Sequence, residues 1–528
     1  MALEPKFAYR EPLTDEYPQI SRFSGEIIRC IKCGLCRAVC PTLIETVSES
    51  QGARGRVSLV EAVLDGRLKL SDIFADRIST CINCKACIEA CPSGVRVDDI
   101  ILAARAELVS RGKFSFLKRL LLRGLLKRGR LLPPVGRIAS LFQRALLRLS
   151  PQGSALRLLL PAVRIDRERY LPVFASKSFR EQIPERSAPK VADGPIHAVV
   201  ETLPREAPEA AAPEAPKRVT SEVSGPVAPQ TAERRAPNTR KGLDPKLLKA
   251  QQPRLRVGYF VGCASNLIYT NIAHSVVNVL TKLGVEVVIP PLQGCCGTPI
   301  FNAGDFVTAR GIARKNMAAL TSLDVDGIVV ACASCGLALK REYSRILGLD
   351  TSGFSENVMD VSEFIVKKLG LDALKSAVAA SKSFPGTRQA VRTEQKEIVV
   401  TYHDPCHLKR GQGVKDEPRE IIRAVPGLKL VEMSEPDRCC GGGGLYSFTH
   451  YEMSKAVASH KIRAIKETGA SIVLTSCPSC ILQLRDGLAQ AKLPVKVMHV
   501  IELLAEVLRE PTERAAPMSE AALQETQV

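Results

Sequence analysis

Eighteen cysteines in a chain of 528 residues fall into clusters, and their spacing is the feature of the sequence that could do chemistry. Ten of them form one five-cysteine pattern written twice in the second half. The first copy is Cys263, Cys295, Cys296, Cys332 and Cys335; the second is Cys406, Cys439, Cys440, Cys477 and Cys480. Corresponding cysteines stand 143 to 145 residues apart, so the repeat keeps register almost without insertion. Each copy has a leading cysteine, an adjacent pair followed by glycine (Gly297, Gly441) and a closing C-x-x-C. Soft thiolate ligands gathered this regularly are places to hold iron and sulfide. A disulfide framework is the competing reading. It fits poorly with a long chain whose cysteines are all clustered and are preceded by no apolar secretion signal.

The other eight cysteines lie near the N-terminus. CIKCGLCRAVCP carries Cys30, Cys33, Cys36 and Cys40 before Pro41, and CINCKACIEACP carries Cys81, Cys84, Cys87 and Cys91 before Pro92. Both runs resemble the C-x2-C-x2-C-x3-C-P pattern of bacterial ferredoxins, in which the fourth cysteine crosses to the other [4Fe–4S] cluster. That resemblance puts Cys30, Cys33, Cys36 and Cys91 on one cluster and Cys81, Cys84, Cys87 and Cys40 on a second. A zinc site needs four ligands and would not call for two such runs.

The elements that must position these cysteines can be read from periodicity. Val57 to Leu68 has helical spacing and is expected to pack around the cluster pair, and Asp98 to Leu108 reads as an amphipathic helix leading out of the domain. In the repeats, Val257–Val261 is strand-like before Cys263, Val285–Ile289 before Cys295, and Ile328–Val330 before Cys332. Helical runs Ile272–Leu283 and Ala309–Leu320 lie between them. Ile398–Tyr402, Leu428–Val431 and Ile472–Leu474 repeat the order ahead of Cys406, Cys439 and Cys477. Alternating strands and helices predict small parallel α/β units with cysteines at the carboxyl ends of the strands, where such sheets hold ligands. His403 and His407 flank Cys406 in HDPCH, and either could ligate a cluster or donate a hydrogen bond to it. With five cysteines per copy, a supporting or structural role is expected, and His274 is expected to pack in a helix. Gly441 to Gly444 matches no nucleotide loop and is expected to let backbone approach a cluster.

The fold class is therefore α+β multidomain. A helical two-cluster ferredoxin-type domain (21–110) leads to a basic Leu/Arg-rich helical connector (111–186) and a Pro/Ala-rich linker (187–253). Two repeated α/β domains (254–380 and 397–510) and a disordered tail (511–528) follow. The linker cannot bury enough apolar surface to fold alone, so a direct interface must hold the cluster domains together.

Charge adds a second theme. The formal net charge is +19, and between Glu107 and Asp166 there are thirteen Lys and Arg with no acid. Leucines are interleaved there, so residues 111–165 are expected either to contact an anionic membrane face or acidic partner, or to pack as a connector. No stretch reaches the roughly 18 apolar residues that span a bilayer. The chain has no Trp and only 5% aromatic residues, which argues against nucleic acid as a partner. The expected location is cytoplasmic, either soluble or peripheral on the cytoplasmic face of the membrane.

The two blocks resemble paired CCG (cysteine-rich) domains. YFVGCASNLIY, YHDPCHLKRGQGV and PDRCCGGGG are similar to the iron–sulfur subunits of glycolate oxidase and D-lactate dehydrogenase. The same module occurs in the cysteine-rich subunits of heterodisulfide reductases. The resemblance implies [4Fe–4S] clusters, two of ferredoxin type and one or two more in the CCG domains, where the noncubane form is an option. It also implies an oxidoreductase subunit that passes electrons from a flavin-dependent 2-hydroxy acid dehydrogenase to a quinone or other carrier. Partners would be an FAD-containing dehydrogenase subunit or a membrane cytochrome b, because this chain shows no flavin or nicotinamide fingerprint. Both closing pairs are complete, as Cys332-Ala-Ser-Cys335 and Cys477-Pro-Ser-Cys480. That completeness keeps a thiol–disulfide reductase, similar to the fused form of heterodisulfide reductase, as the alternative. No catalytic residue is assigned.

Overall fold

The computed structural model describes residues 16–113, 123–124, 126, 132–147, 169–170, 172–183, 255–381 and 397–509. The linker 187–253, the tail 511–528 and much of the basic segment, including Lys118, Arg119, Lys127, Arg128 and Arg130, lie outside the described residues.

The described N-terminal unit is helical. Helix Ala53–Leu64 buries Val57, Val60, Val63 and Leu64, a stripe at i, i+3, i+6 and i+7. It begins and ends about one turn earlier than the spacing of Val57 to Leu68 predicts, because Gly66 (φ +69°) takes a left-handed conformation just past its end. Helix Asp72–Ser79 is capped by the Ser71 hydroxyl, which accepts from the Phe74 N–H, and buries Phe74 and Ile78. Helix Val97–Ser110 is buried along nearly its whole length. These three helices and Ile20, Ile27 and Leu43 form one core beside the cysteine loops.

Each repeat is a four-stranded parallel sheet. The first contains β1 (Arg256–Phe260), β2 (Glu286–Val288), β3 (Gly327–Val330) and β4 (Val358–Asp360), in the order β2-β1-β3-β4. The second contains β5 (Ile398–Tyr402), β6 (Leu428–Leu430), β7 (Ile472–Thr475) and β8 (Lys496–His499), in the equivalent order β6-β5-β7-β8. Short apolar runs suit strands covered on both faces by helices, which is why Val329, Val400 and Val473 are fully buried. Three strands of each sheet were expected; the fourth, β4 and β8, adds an edge. The strand order reverses between β1 and β3 and between β5 and β7, and those crevices are where open α/β sheets bind ligands.

The repeats share a core. Helix Thr270–Lys282 buries Ile272, Val276, Val279 and Leu280 on one face, and helix Val500–Val507 of the second repeat packs against it. Each such side chain contributes roughly 1.5–3 kcal/mol by leaving water. Nearer the cysteines, helix Ala333–Leu337 meets helix Cys406–Gln412 so closely that a methyl on Gly411 would stand 2.8 Å from the Leu337 side chain. The α+β organisation and the doubled unit of the expected fold are thus both present.

Candidate metal centres

Two small cavities in the N-terminal unit are lined by the ferredoxin-type cysteines. One is bounded by Cys40, Cys81, Cys84 and Cys87. The other is bounded by Cys30, Cys33, Cys36 and Cys91, with Cys87 on the wall between them. The fourth cysteine of each run therefore lies with the first three of the other. The loops close by left-handed turns at Lys32 (φ 56°), Gly34 (φ 88°), Asn83 (φ 62°) and Lys85 (φ 62°). Such a conformation costs a non-glycine residue about 1–3 kcal/mol. The cavities differ in access: Cys33 is exposed, whereas Cys40 and Cys84 are buried.

In the first repeat the five sulfurs make a chain of contacts. Cys263 Sγ lies 3.9 Å from Cys295 Sγ. Cys295 touches Cys296, Cys296 touches Cys335, and Cys335 touches Cys332. Cys296 is held well below the usual thiol range by hydrogen bonds from Cys295 and Cys335, against the opposing effect of burial. The thiolate is the form that binds metal. The leading cysteine follows β1, while Cys332 follows β3 and takes the N-cap position of helix Ala333–Leu337.

The glycine after each cysteine pair has a physical reason. Gly297 (φ +87°) and Gly441 (φ +83°) turn left-handed, and each N–H donates to the first sulfur of its pair. The N–H to Sγ distances are both 3.4 Å, to Cys295 and to Cys439. The Gly442 N–H likewise reaches the Cys440 sulfur, so the run brings backbone to the cysteines. Packing also holds these glycines: a methyl on Gly443 would meet Tyr446 at 2.8 Å and Ile82 at 3.1 Å, and one on Gly442 would meet the Ser479 carbonyl at 3.2 Å.

The second repeat divides its sulfurs. Cys440 touches Cys480, Cys480 touches Cys477, and Cys477 touches Cys332 of the first repeat. Cys406 and Cys439 instead meet Cys84 of the N-terminal unit, and all three pack with Ile82, Ala86 and Tyr446. Hydrogen bonding from Cys439 lowers the Cys406 thiol to about 6 and the Cys84 thiol to about 7, although burial opposes it. Arg410 adds a cation to this junction. Its Nε donates to Glu89 at 2.7 Å and its Nη1 to the Asp437 carbonyl at 2.8 Å.

His403 bonds to Cys440, one of the roles expected of it. Its ring nitrogen lies with the sulfurs of Cys440 and Cys480 in a buried group whose atoms are all within 4.8 Å of one another. His407 also keeps to expectation. Its Nδ1 is 3.0 Å from Ser334 Oγ and its Nε2 is 3.2 Å from the Asn83 carbonyl, so it ties together both repeats and the N-terminal unit. His274 packs edge-on to Phe179 at 4.8 Å, as a helix packing residue should.

Sequence reasoning also missed the charges that seat the N-terminal unit. Lys85 Nζ donates to Asp98 Oδ2 at 2.5 Å and to Glu342 Oε1 of the first repeat at 3.2 Å. Arg345 bonds to both Asp98 and Asp99. Lys85, Asp98 and Glu342 are each at most 4% exposed in their side chains. The two acids and a left-handed lysine were visible in the sequence only as ordinary loop and helix residues.

Comparison with known proteins agrees with this arrangement. Residues 26–95 match the 4Fe-4S dicluster domain, and residues 257–340 and 400–485 match the CCG cysteine-rich domain. The chain is 28% identical over 492 residues to the probable glycolate oxidase iron–sulfur subunit of Bacillus subtilis, covering 91% of this chain and 94% of that protein. It is 34% identical over 255 residues to one subunit of the fumarate reductase (CoM/CoB) of Methanothermobacter marburgensis, covering 48% of this chain and 47% of that one. It is 33% identical over 259 residues to one subunit of the dihydromethanophenazine:CoB–CoM heterodisulfide reductase of Methanosarcina mazei, covering 48% and 59%. The chain thus spans nearly all of the first relative and about half of the methanogen proteins. These homologues are oxidoreductase subunits, and the matched domains indicate [4Fe–4S] clusters in an iron–sulfur electron-transfer subunit.

Proposed function

We propose that the chain is the electron-transfer subunit of a flavin-dependent 2-hydroxy acid dehydrogenase complex, with glycolate or D-lactate as the oxidised substrate class. The observation that carries this reading is the packing of Cys84 with Cys439 and Cys406 in one buried group, which joins a ferredoxin-type cavity to a repeat. From there the Cys477–Cys332 contact continues into the other repeat. The near full-length likeness to a glycolate oxidase subunit supports the substrate class. Bound clusters would supply one-electron chemistry. Cys30, Cys33, Cys36 and Cys91 would hold one, Cys81, Cys84, Cys87 and Cys40 a second, and the repeat cysteines the others. The chain's own contribution is to orient thiolates, exclude water at the inner sites and leave Cys33 accessible.

The collar around Cys33 suits a protein partner. Ile28 is 76% exposed, Ile31 68% and Leu35 57%, an apolar surface beside a thiolate. An FAD-containing dehydrogenase subunit is the proposed occupant, with a quinone or membrane cytochrome b as the route onward. Among the described residues no helix is long and apolar enough to cross a membrane. Helix Leu132–Leu147 exposes Val135, Ile138 and Leu141 next to Arg137, which supports peripheral contact with the cytoplasmic membrane face.

The second reading is a thiol–disulfide reductase. It is favoured by the complete closing pairs and by the contact of Cys332 with Cys477 between repeats. Anaerobic protein should contain about sixteen iron if four [4Fe–4S] clusters are present, and about eight would leave the repeats without clusters. Paramagnetic resonance on the same protein separates the two readings. A signal that appears only on adding an oxidised thiol substrate would replace the first with the second.

A further inference from the structure

The two repeats are matched at every cysteine but not at the position three residues before the leading one. Phe260 stands there in the first repeat and His403 in the second. Phe260 is fully buried and packs among Val288, Cys296 and Cys335. His403 is 1% exposed, and its Nδ1 is buried without a hydrogen-bond partner. Its backbone N–H donates to the Leu474 carbonyl at 2.9 Å, which extends the β5–β7 pairing and fixes where the ring sits.

A buried imidazole nitrogen with no partner costs about 1–3 kcal/mol unless something takes up its donor or acceptor capacity. Most buried polar atoms are satisfied, so this one calls for an explanation. The His403 side chain also bonds to Cys440, which places one of its two ring nitrogens among sulfurs. Cys440 and Cys480 lie with His403 in a group no wider than 4.8 Å. Ligands 2.0–2.3 Å from one metal ion stand about 3.3–3.8 Å apart in tetrahedral geometry, which falls inside that limit. Cys477, in contact with Cys480, brings the local donors to one nitrogen and three sulfurs. Cys406 and Cys439, the other two sulfurs of this repeat, lie on the side that packs with Cys84.

We propose that His403 is a nitrogen ligand of the iron–sulfur centre in the second repeat, which is thereby held by a mixed imidazole–thiolate set while the first repeat is held by thiolates. The inference rests on the reading that the second repeat carries such a centre. A neutral imidazole in place of an anionic thiolate raises the potential of an iron–sulfur centre. The two repeats are then sequence copies with different electrochemical characters.

The test uses the full chain, purified anaerobically, labelled with 15N-histidine and reduced with dithionite. The second-repeat signal is the one that disappears in Cys480→Ser. Pulsed paramagnetic resonance of that signal should show coupling to a histidine nitrogen. The coupling should vanish in His403→Cys with the iron content retained, and persist in His407→Gln. His403→Cys should also move the midpoint of that centre downward while the ferredoxin signals stay in place. That last control shows that the variant is folded. Iron in the second repeat without histidine coupling overturns the ligand assignment alone. Stoichiometric zinc, or no iron lost in Cys480→Ser, overturns the assignment together with the reading on which it rests.

Discussion

The first repeat surrounds its cysteines with neutral groups, whereas the second surrounds them with cations and nitrogen. Asn316 in the first repeat is matched by Lys461 in the second, 145 residues on, in equivalent helices. Asn316 Nδ2 donates to the Cys295 carbonyl at 2.8 Å and to Tyr343 OH at 3.1 Å. Lys461 is equally buried, and its Nζ donates to the Glu435 carbonyl at 2.5 Å. Burial lowers Lys461 to about 8, while the Cys440, Asp437 and Cys439 charges pull the other way. Arg410 has Leu267 at the matching first-repeat position. Positive charge stabilises the more negative, reduced state of a cluster, so the second centre should hold electrons more tightly than the first.

The largest test of this contrast uses equivalent cysteines. Cys295→Ser should remove about four iron and leave both ferredoxin signals unchanged. Cys439→Ser should remove a similar amount and also alter the inner ferredoxin signal, because Cys439 touches Cys84. Identical ferredoxin spectra in the two variants would mean that the second repeat is no more closely coupled to the N-terminal unit than the first.

Attachment should show the opposite bias. The buried Lys85–Asp98–Glu342 network fastens the N-terminal unit to the first repeat, so Lys85→Met should cost about 3–5 kcal/mol in denaturant unfolding. The Arg410–Glu89 pair reaches the second repeat, but Glu89 is 53% exposed. Glu89→Gln should therefore cost no more than about 1 kcal/mol. Equal losses would show that the two repeats share the seating of this unit evenly.

The smallest expected effect concerns Lys461. Lys461→Asn gives the second repeat the residue found in the first. It should lower the midpoint of the second-repeat centre by about 60 mV, a tenfold change in a one-electron equilibrium. A redox titration that finds no shift would remove this lysine as a source of the difference.

Much of this architecture was legible because metal-binding spacing and strand periodicity are local. Cys263, Cys332, Cys406 and Cys477 each follow an apolar run, so the strand ends and the doubled unit could be read directly. β4 was not legible, since Val358–Asp360 is three residues long and carries neither alternation nor a cysteine. The Cys84–Cys439 junction was hidden for a different reason: it joins residues hundreds of positions apart, and no periodicity reports it. His403 and Lys461 were within reach. Setting the copies side by side at every position, and not only at the cysteines, exposes Phe260 opposite His403 and Asn316 opposite Lys461.

The burial of Cys84 also imposes a chronology on the molecule. Cys84 is buried where it packs with Cys439 of the second repeat, whereas Cys33 is exposed. A cluster held by Cys84 would be assembled most readily before that junction forms. The outer cavity can be filled, or repaired after oxidative damage, in the finished protein. The N-terminal unit precedes both repeats in the sequence, so it is synthesised before the repeat that buries Cys84.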